Sequence, residues 1–259
     1  DLGGYFLTLD EVDADPGEKV QHHLQLASTD PAEEITGNRH YRAAINHFAE
    51  VEGVSMDVFF ATDPESVEQE LLPSGFLKRA PKSGEHYRLK SVFATDDRGD
   101  ARLLTVMFPI DAEHPAADLR QIAGDGYRGV TVGFGGGHGV TDVAIESAGE
   151  AAIEHDDAET QARFAVYRTR GDDTDFYFTR HGESFRRGNV GFTSDAPISL
   201  HMAGDRGSAT SGGATLTLHQ PGITGILLNG EAVEPLEIGG GMLRFKLPEG
   251  RHDIELLTE

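Results

Sequence analysis

Tyr5-Phe6-Leu7-Thr8-Leu9-Asp10-Glu11-Val12 sets Tyr5, Leu7 and Leu9 against Phe6, Thr8 and Asp10. A period of two puts alternate side chains on opposite faces of an extended strand. Asp15-Pro16-Gly17 then turns the chain, and residues 19–27 read as a second strand. The same texture continues outward. Residues 39–51 and 54–61 read as a pair joined near Gly53. Residues 86–94 and 101–108 are linked by the turn Asp96-Asp97-Arg98-Gly99-Asp100, and further strands fall at 127–134, 140–147, 162–169 and 175–180. One helix of one or two turns is expected over 66–72, begun by Pro64 and stopped by Pro73-Ser74-Gly75.

Near residue 190 the texture changes. The strands expected beyond it are short, at 198–203, 214–218, 225–228, 242–247 and 252–257, with glycine-rich turns at 204–213 and 239–241. Leu228-Asn229-Gly230-Glu231 is a hairpin signal, because Asn-Gly accepts the positive φ angles of a type I′ turn. The expected fold is all-β: a two-layer antiparallel β super-sandwich over 1–190, followed by a small C-terminal β-sheet unit over 191–259.

Composition narrows the function classes. The 259 residues carry 44 Asp+Glu against 22 Lys+Arg, a net charge of −22. Such a surface repels phosphate backbones, which argues against nucleic acid as a partner. It also disfavours a broad polyanion-binding surface, unless arginines gather locally in one groove. No segment approaches the ~20 apolar residues of a membrane helix. With no cysteine there is neither a disulfide framework nor a thiolate metal site. The acids are dispersed along the chain, which fits a solvated surface, and they suit a saline environment in which screening weakens self-repulsion.

Several constellations are candidates for chemistry, each beside an ordinary structural reading. His22 and His23 are adjacent on a strand, so their rings point to opposite faces and do not share one ion. His23, His40, His47 and His86 are imidazoles that a fold can gather into a three-histidine zinc site, or leave as polar-face residues. Gly133-Phe134-Gly135-Gly136-Gly137-His138 lacks the Lys-Ser/Thr of a phosphate loop and reads as a wide turn. Arg180-His181-Gly182-Glu183 matches the Arg-His-Gly of phosphohistidine enzymes but ends a β-rich block, where no helix N-terminus receives a phosphate. Ser208 and Ser211 have no nucleophile-elbow context. Arg39, Arg42, Arg186 and Arg187 are candidates to bind a sugar carboxylate or to pair with surface acids, and Tyr41 and Tyr87 are expected to fill sheet faces.

The stretch from Tyr5 to Val12 resembles a strand of heparinase II/III-type polysaccharide lyases. Arg102-Leu103-Leu104-Thr105-Val106-Met107-Phe108-Pro109, Gly139-Val140-Thr141-Asp142-Val143-Ala144-Ile145 and Leu228-Asn229-Gly230-Glu231-Ala232-Val233 fit the same family in order. The resemblance implies an N-terminal helical toroid in the same polypeptide, followed by a β super-sandwich and a small C-terminal sheet. It implies cleavage of acidic polysaccharide by β-elimination: the uronate carboxylate is neutralised, a Tyr or His removes the C5 proton, and the 4-linked oxygen leaves. In that family the catalytic groups come from the toroid and from a His-x-His segment, and zinc, where present, is held by a His, an Asp and a His followed by Asn. This chain has no His-x-His and no His-Asn pair. No catalytic or metal residue is therefore carried over, the substrate-binding residues are left open, and no cofactor is expected in this chain, zinc belonging to a full-length enzyme. The chain opens in mid-strand without an initiator Met, so it is expected to be the β-rich part of a larger secreted or cell-surface enzyme. The alternative is a non-catalytic carbohydrate-binding or structural module of a cell-surface protein.

The dispersed acids give a first testable outcome. The Debye length falls from about 10 Å at 0.1 M salt to about 3 Å at 1 M. The melting midpoint at neutral pH should therefore rise with sodium chloride, most steeply at low concentration. A midpoint that is flat or falling up to 1 M would remove repulsion as the limiting term.

Overall fold

The computed structural model describes residues 4–26, 28–37, 39–46, 53–72, 86–135, 139–147 and 151–259. Among these residues there is no helix, and the fold is all-β. Two compact units divide the chain: residues 1–120 with 134–138, and residues 121–133 with 139–259.

The first unit contains β1 (Phe6–Asp13), β2 (Lys19–Gln25), β3 (Glu33–Thr36) and β4 (His40–Ala44). It continues with β5 (Ser55–Phe60), β6 (Ser66–Leu72), β7 (His86–Ala94) and β8 (Asp100–Ile110). One sheet has the order β1-β8-β5-β4-β3, the other β2-β7-β6. The turns at Asp15-Pro16-Gly17 and at residues 96–100 thus carry the chain from one sheet to the other. Tyr41, Val58, Phe60 and Leu103 of the first sheet share a buried cluster with Leu89 and Phe93 of the second, which makes this unit a sandwich.

The helix expected over 66–72 is instead strand β6. Glu68 and Glu70 stand opposite Lys90 and Arg88 of β7, and Arg88 Nε donates to Glu70 Oε2 at 2.6 Å. The side-chain amide of Gln69 acts as a strand partner for Ala32, accepting its N–H at 2.7 Å and donating to its carbonyl at 2.8 Å. Seven residues are too few for a helix to hold itself. Alternating charges with ready partners in the next strand decide the matter.

The second unit takes in most of β9 (Asp118–Gly124), then β10 (Tyr127–Gly133), β11 (Val140–Ser147), β12 (Ile153–His155) and β13 (Ala158–Arg170). Beyond these run β14 (Asp173–Arg187), β15 (Val190–Ala203), β16 (Arg206–His219) and β17 (Ile223–Leu228). The last are β18 (Glu231–Ala232), β19 (Glu237–Gly239) and β20 (Met242–Thr258). They form one sheet in the order β18-β17-β20-β16-β15-β14-β13-β11-β10-β9, with β12 added on β13 and β19 on β20.

Three of the strands from 190 onward are long where short ones were expected, β15 and β16 with 14 residues each and β20 with 17, whereas β17, β18 and β19 are short, with 6, 2 and 3. Residue 190 itself falls at the β14–β15 hairpin, inside this unit. Most of the stretch 204–213, read as a turn, belongs to β16. Of its glycines, Gly204 turns the chain, whereas Gly207 is there for close approach. A Cβ on Gly207 would lie 2.0 Å from the His201 carbonyl oxygen and 2.4 Å from Met202 Sδ. The Asn229-Gly230 turn is as expected, with φ of 53° and 82°.

One apolar cluster contains Phe192 and Leu200 of β15, Ala209 and Leu216 of β16, and Phe245 and Ile254 of β20. In β16 the buried positions are 209 and 211, then 216 and 218; in β20 they are 243, 245 and 247, then 254 and 256. Both strands change face together, at Gly213 (φ 98°) and Gly250 (φ 115°), and the ladder stays in register. The two halves of each strand thus contribute to the same core.

Glycines 207 and 212 offer a matched test. Gly207→Ala forces a Cβ into a backbone oxygen and should cost about 1–3 kcal/mol. A Cβ on Gly212 meets nothing within 4 Å, and its φ is not positive. Gly212→Ala should fall within about 0.5 kcal/mol of the parent. Chemical denaturation of both variants measures the difference, and equal costs would count against the close approach.

Candidate functional site

On the face opposite that core, β14, β15, β16, β19 and β20 line an open pocket of about 500 Å³. Its floor follows from strand alternation. Phe185, Phe192, Leu216, Leu218, Leu243 and Phe245 point into the core, so their neighbours Arg186, Thr193, Thr217, His219, Met242 and Arg244 point out. Register then sets these side chains in rows. Thr193 faces Thr217, Thr217 faces Arg244, and Arg244 faces Glu237. In the adjoining row Arg186, Gly191, His219 and Met242 stand in line across β14, β15, β16 and β20.

Gly191 is the gap that shapes this second row. A Cβ there would lie 2.1 Å from the Phe185 carbonyl oxygen, and its φ is 146°. With no side chain in the way, Arg186 crosses β15 and its Nη1 stands 3.3 Å from His219 Nδ1. Arg186 Nε donates to the Gly188 carbonyl at 3.0 Å. A guanidinium only donates, so His219 Nδ1 accepts and the proton of the neutral ring sits on Nε2. Burial, with the Arg186 cation adding to it, lowers the His219 pKa below the usual imidazole value.

The wall beside β15 is an excursion. The β15–β16 ladder breaks between Ser194 and Ser199, and the β14–β15 ladder is irregular at the same level. Asp195 Oδ1 accepts the Thr215 N–H at 2.6 Å, pinning the excursion to β16. That bond, helped by Arg244, holds the Asp195 carboxyl below the usual range. Among the described residues, neither the Arg244 guanidinium nor the Glu237 carboxylate makes a hydrogen bond or ion pair. The pocket therefore presents one unengaged guanidinium, one partly engaged guanidinium, a neutral imidazole, hydroxyls and two carboxylates.

Of the four arginines singled out in the sequence, only Arg186 reaches this pocket. Arg39 pairs with Asp63. Arg42 grips Asp57 through both carboxylate oxygens, at 2.7 and 2.9 Å, and His40 Nε2 lies 3.2 Å from the same group. Burial raises the Asp57 pKa, but the bonds from His40 and Arg42 outweigh it and leave the carboxyl below its usual range. Asp57 has no exposed surface, so this triad ties β4 to β5 rather than meeting a ligand. Arg187 is buried, bonded to Asp157 at 2.8 Å and to the carbonyls of Gly171, Asp172 and Asp173.

The other sequence candidates are scattered. His22 is half-buried, 3.7 Å from Asp10 and edge-on to Phe60, while His23 on the opposite face is exposed. His40 and His86 are buried on β4 and β7, and His47 lies outside the described residues. Among the described residues no three His, Cys, Asp or Glu side chains stand close enough to hold a metal. Arg180-His181-Gly182 is a bulge in mid-strand, with His181 at φ 53°. Ser211 is buried, its Oγ accepting the Gly213 N–H at 2.9 Å. Tyr41 is buried in the core and Tyr87 packs against it. Phe134 tilts against Tyr5 and Phe108, and residues 136–138 of the glycine run lie outside the described residues.

No helix among the described residues is long and apolar enough to cross a membrane. A scan against protein-family models finds no match, and a search of curated proteins finds none either.

The Arg186–His219 contact is directly measurable. The His219 ring should titrate below ~6.5 in the folded protein. Arg186→Gln removes a repelling cation, which favours the charged imidazolium, so the midpoint should move up. Imidazole resonances followed by NMR across pH 4–8 give the answer, and an unmoved midpoint would separate the two groups.

Proposed function

We propose that this chain is the β-sandwich portion of a lyase that cleaves uronic-acid-containing glycans by β-elimination, and that the pocket on the long sheet holds the acidic saccharide. The observation that carries this reading is the gathering of Arg186 and Arg244 over threonine hydroxyls, in a chain of net charge −22. A guanidinium presents paired N–H donors that match a carboxylate, and the hydroxyls of Thr193, Thr215 and Thr217 suit the ring hydroxyls of a sugar. Arg186 and Arg244 together offer a carboxylate two neighbouring cations on a chain whose net charge is otherwise repulsive to it. The residues here bind and orient; proton abstraction and departure of the 4-linked oxygen are assigned to groups outside this chain, in keeping with the absence of a His-x-His segment from the sequence.

A second reading is a non-catalytic carbohydrate-binding module of a cell-surface protein. It is favoured by the pocket lying wholly on strands of one compact unit.

Both readings require binding. Calorimetric titration with an oligouronate should give a dissociation constant in the micromolar to millimolar range, weakened by salt. The double variant Arg186→Gln, Arg244→Gln should lose at least about tenfold in affinity, the cost of one charge-assisted hydrogen bond. Lack of any binding would overturn the proposal. The pure chain should produce no unsaturated-uronate absorbance from the same polymer; its appearance would place the catalytic groups within these residues.

A further inference from the structure

The charges around the pocket are balanced, and that balance bears on which acidic sugar it takes. Arg186 and Arg244 are cations, Asp195 and Glu237 are anions, and His219 is held neutral by burial and Arg186. Asp195 stays ionised because the Thr215 N–H is bonded to it at 2.6 Å. Glu237 stands directly opposite Arg244 on β19. An anion approaching Arg244 therefore meets carboxylates on both sides, one from β15 and one from β19.

We infer that the pocket selects a uronate residue bearing one carboxylate and free hydroxyls, and rejects the sulfated equivalent. The inference rests on the saccharide-binding reading and goes on to name the class of sugar. Arg244 has its whole fork available, whereas Arg186 has already given Nε to Gly188 and directed Nη1 at His219. One carboxylate thus finds one full bidentate partner. A second anionic group on the same sugar faces Asp195 or Glu237, and like charges set against each other in a binding site cost affinity. Free hydroxyls do the opposite, because they donate to those carboxylates while accepting from threonine. A sulfate ester has no proton to donate. Specificity here comes from repulsion of the wrong ligand as much as from attraction of the right one.

The test compares two probes of equal length, an unsulfated 1,4-linked oligouronate and its O-sulfated form, titrated at matched ionic strength. The unsulfated probe should bind at least about tenfold more tightly, which at ~1.4 kcal/mol per decade is less than one unscreened like-charge contact. Glu237→Gln keeps the shape and removes one negative charge. It should bring the sulfated probe closer to the unsulfated one, with the melting midpoint confirming an intact fold. A sulfated probe that binds the parent equally well or better would overturn the selection while leaving saccharide binding in place. An unchanged ratio in Glu237→Gln would overturn the assigned cause. Failure of both probes to bind would overturn the underlying reading as well.

Discussion

Removing the apolar face of the long sheet from water is the requirement on which the second unit depends. Burial contributes roughly 25 cal/mol per Å² of apolar surface, and a single open sheet has nothing to bury that face against. Here β16 and β20 exchange their inward and outward faces at Gly213 and Gly250, so both halves of each strand supply the same cluster. Because the exchange happens at nearly the same level in paired strands, their register continues from Gly212–Glu249 to Ala214–Leu247 without a slip. A slip in one strand alone would turn its leucines outward.

The pocket is a by-product of this arrangement. Strand β15 does not exchange faces through a glycine, but leaves the ladder between Ser194 and Ser199. The departing segment stands at one edge of the polar face, and Asp195 fastens it by taking the Thr215 N–H. At the other edge β19 pairs with β20 and brings Glu237 beside Arg244. The floor between them is rigid, since each outward threonine or arginine is flanked in sequence by buried neighbours such as Phe192, Leu216, Leu218, Leu243 and Phe245. Side chains on such a floor lose less freedom on meeting a ligand than side chains on a loop.

Much of this was legible in the sequence, and the illegible parts share a cause. Alternation in Tyr5–Asp10, the Asn229-Gly230 turn and the glycine-punctuated strands depend on residues within a few positions of each other, and all are found in the structure. The helix expected over 66–72 failed because the partners of Glu68 and Glu70 lie about twenty residues away, on β7. Glycines 207 and 212 suggested a turn, whereas only Gly204-Asp205 turns; Gly207 answers to the His201 carbonyl across the ladder. The pocket was the hardest to see. Arg186 was visible as a candidate cation, but His219 lies 33 positions away from it, and Arg244 and Glu237 join only through the order of strands. The outward alternation of Thr215 and Thr217 with Leu216 and Leu218 was the one local signal of a polar floor.

The aromatic part of the same core has an optical consequence. The chain contains no tryptophan and six tyrosines, so tyrosine dominates its near-ultraviolet absorption and its emission. Tyr177 stacks on Phe185 at 4.8 Å and lies nearly parallel to Phe192, while Tyr167 tilts against Phe185 at 5.4 Å. Burial pushes both hydroxyls well above the ordinary phenol value, with Asp156 and Asp157 adding to the effect at Tyr167. These two rings therefore remain phenols in alkali that converts more exposed tyrosines to phenolate. The phenolate chromophore thus separates these buried rings from exposed ones, and the molecule carries its own spectroscopic reporter of whether this core is intact.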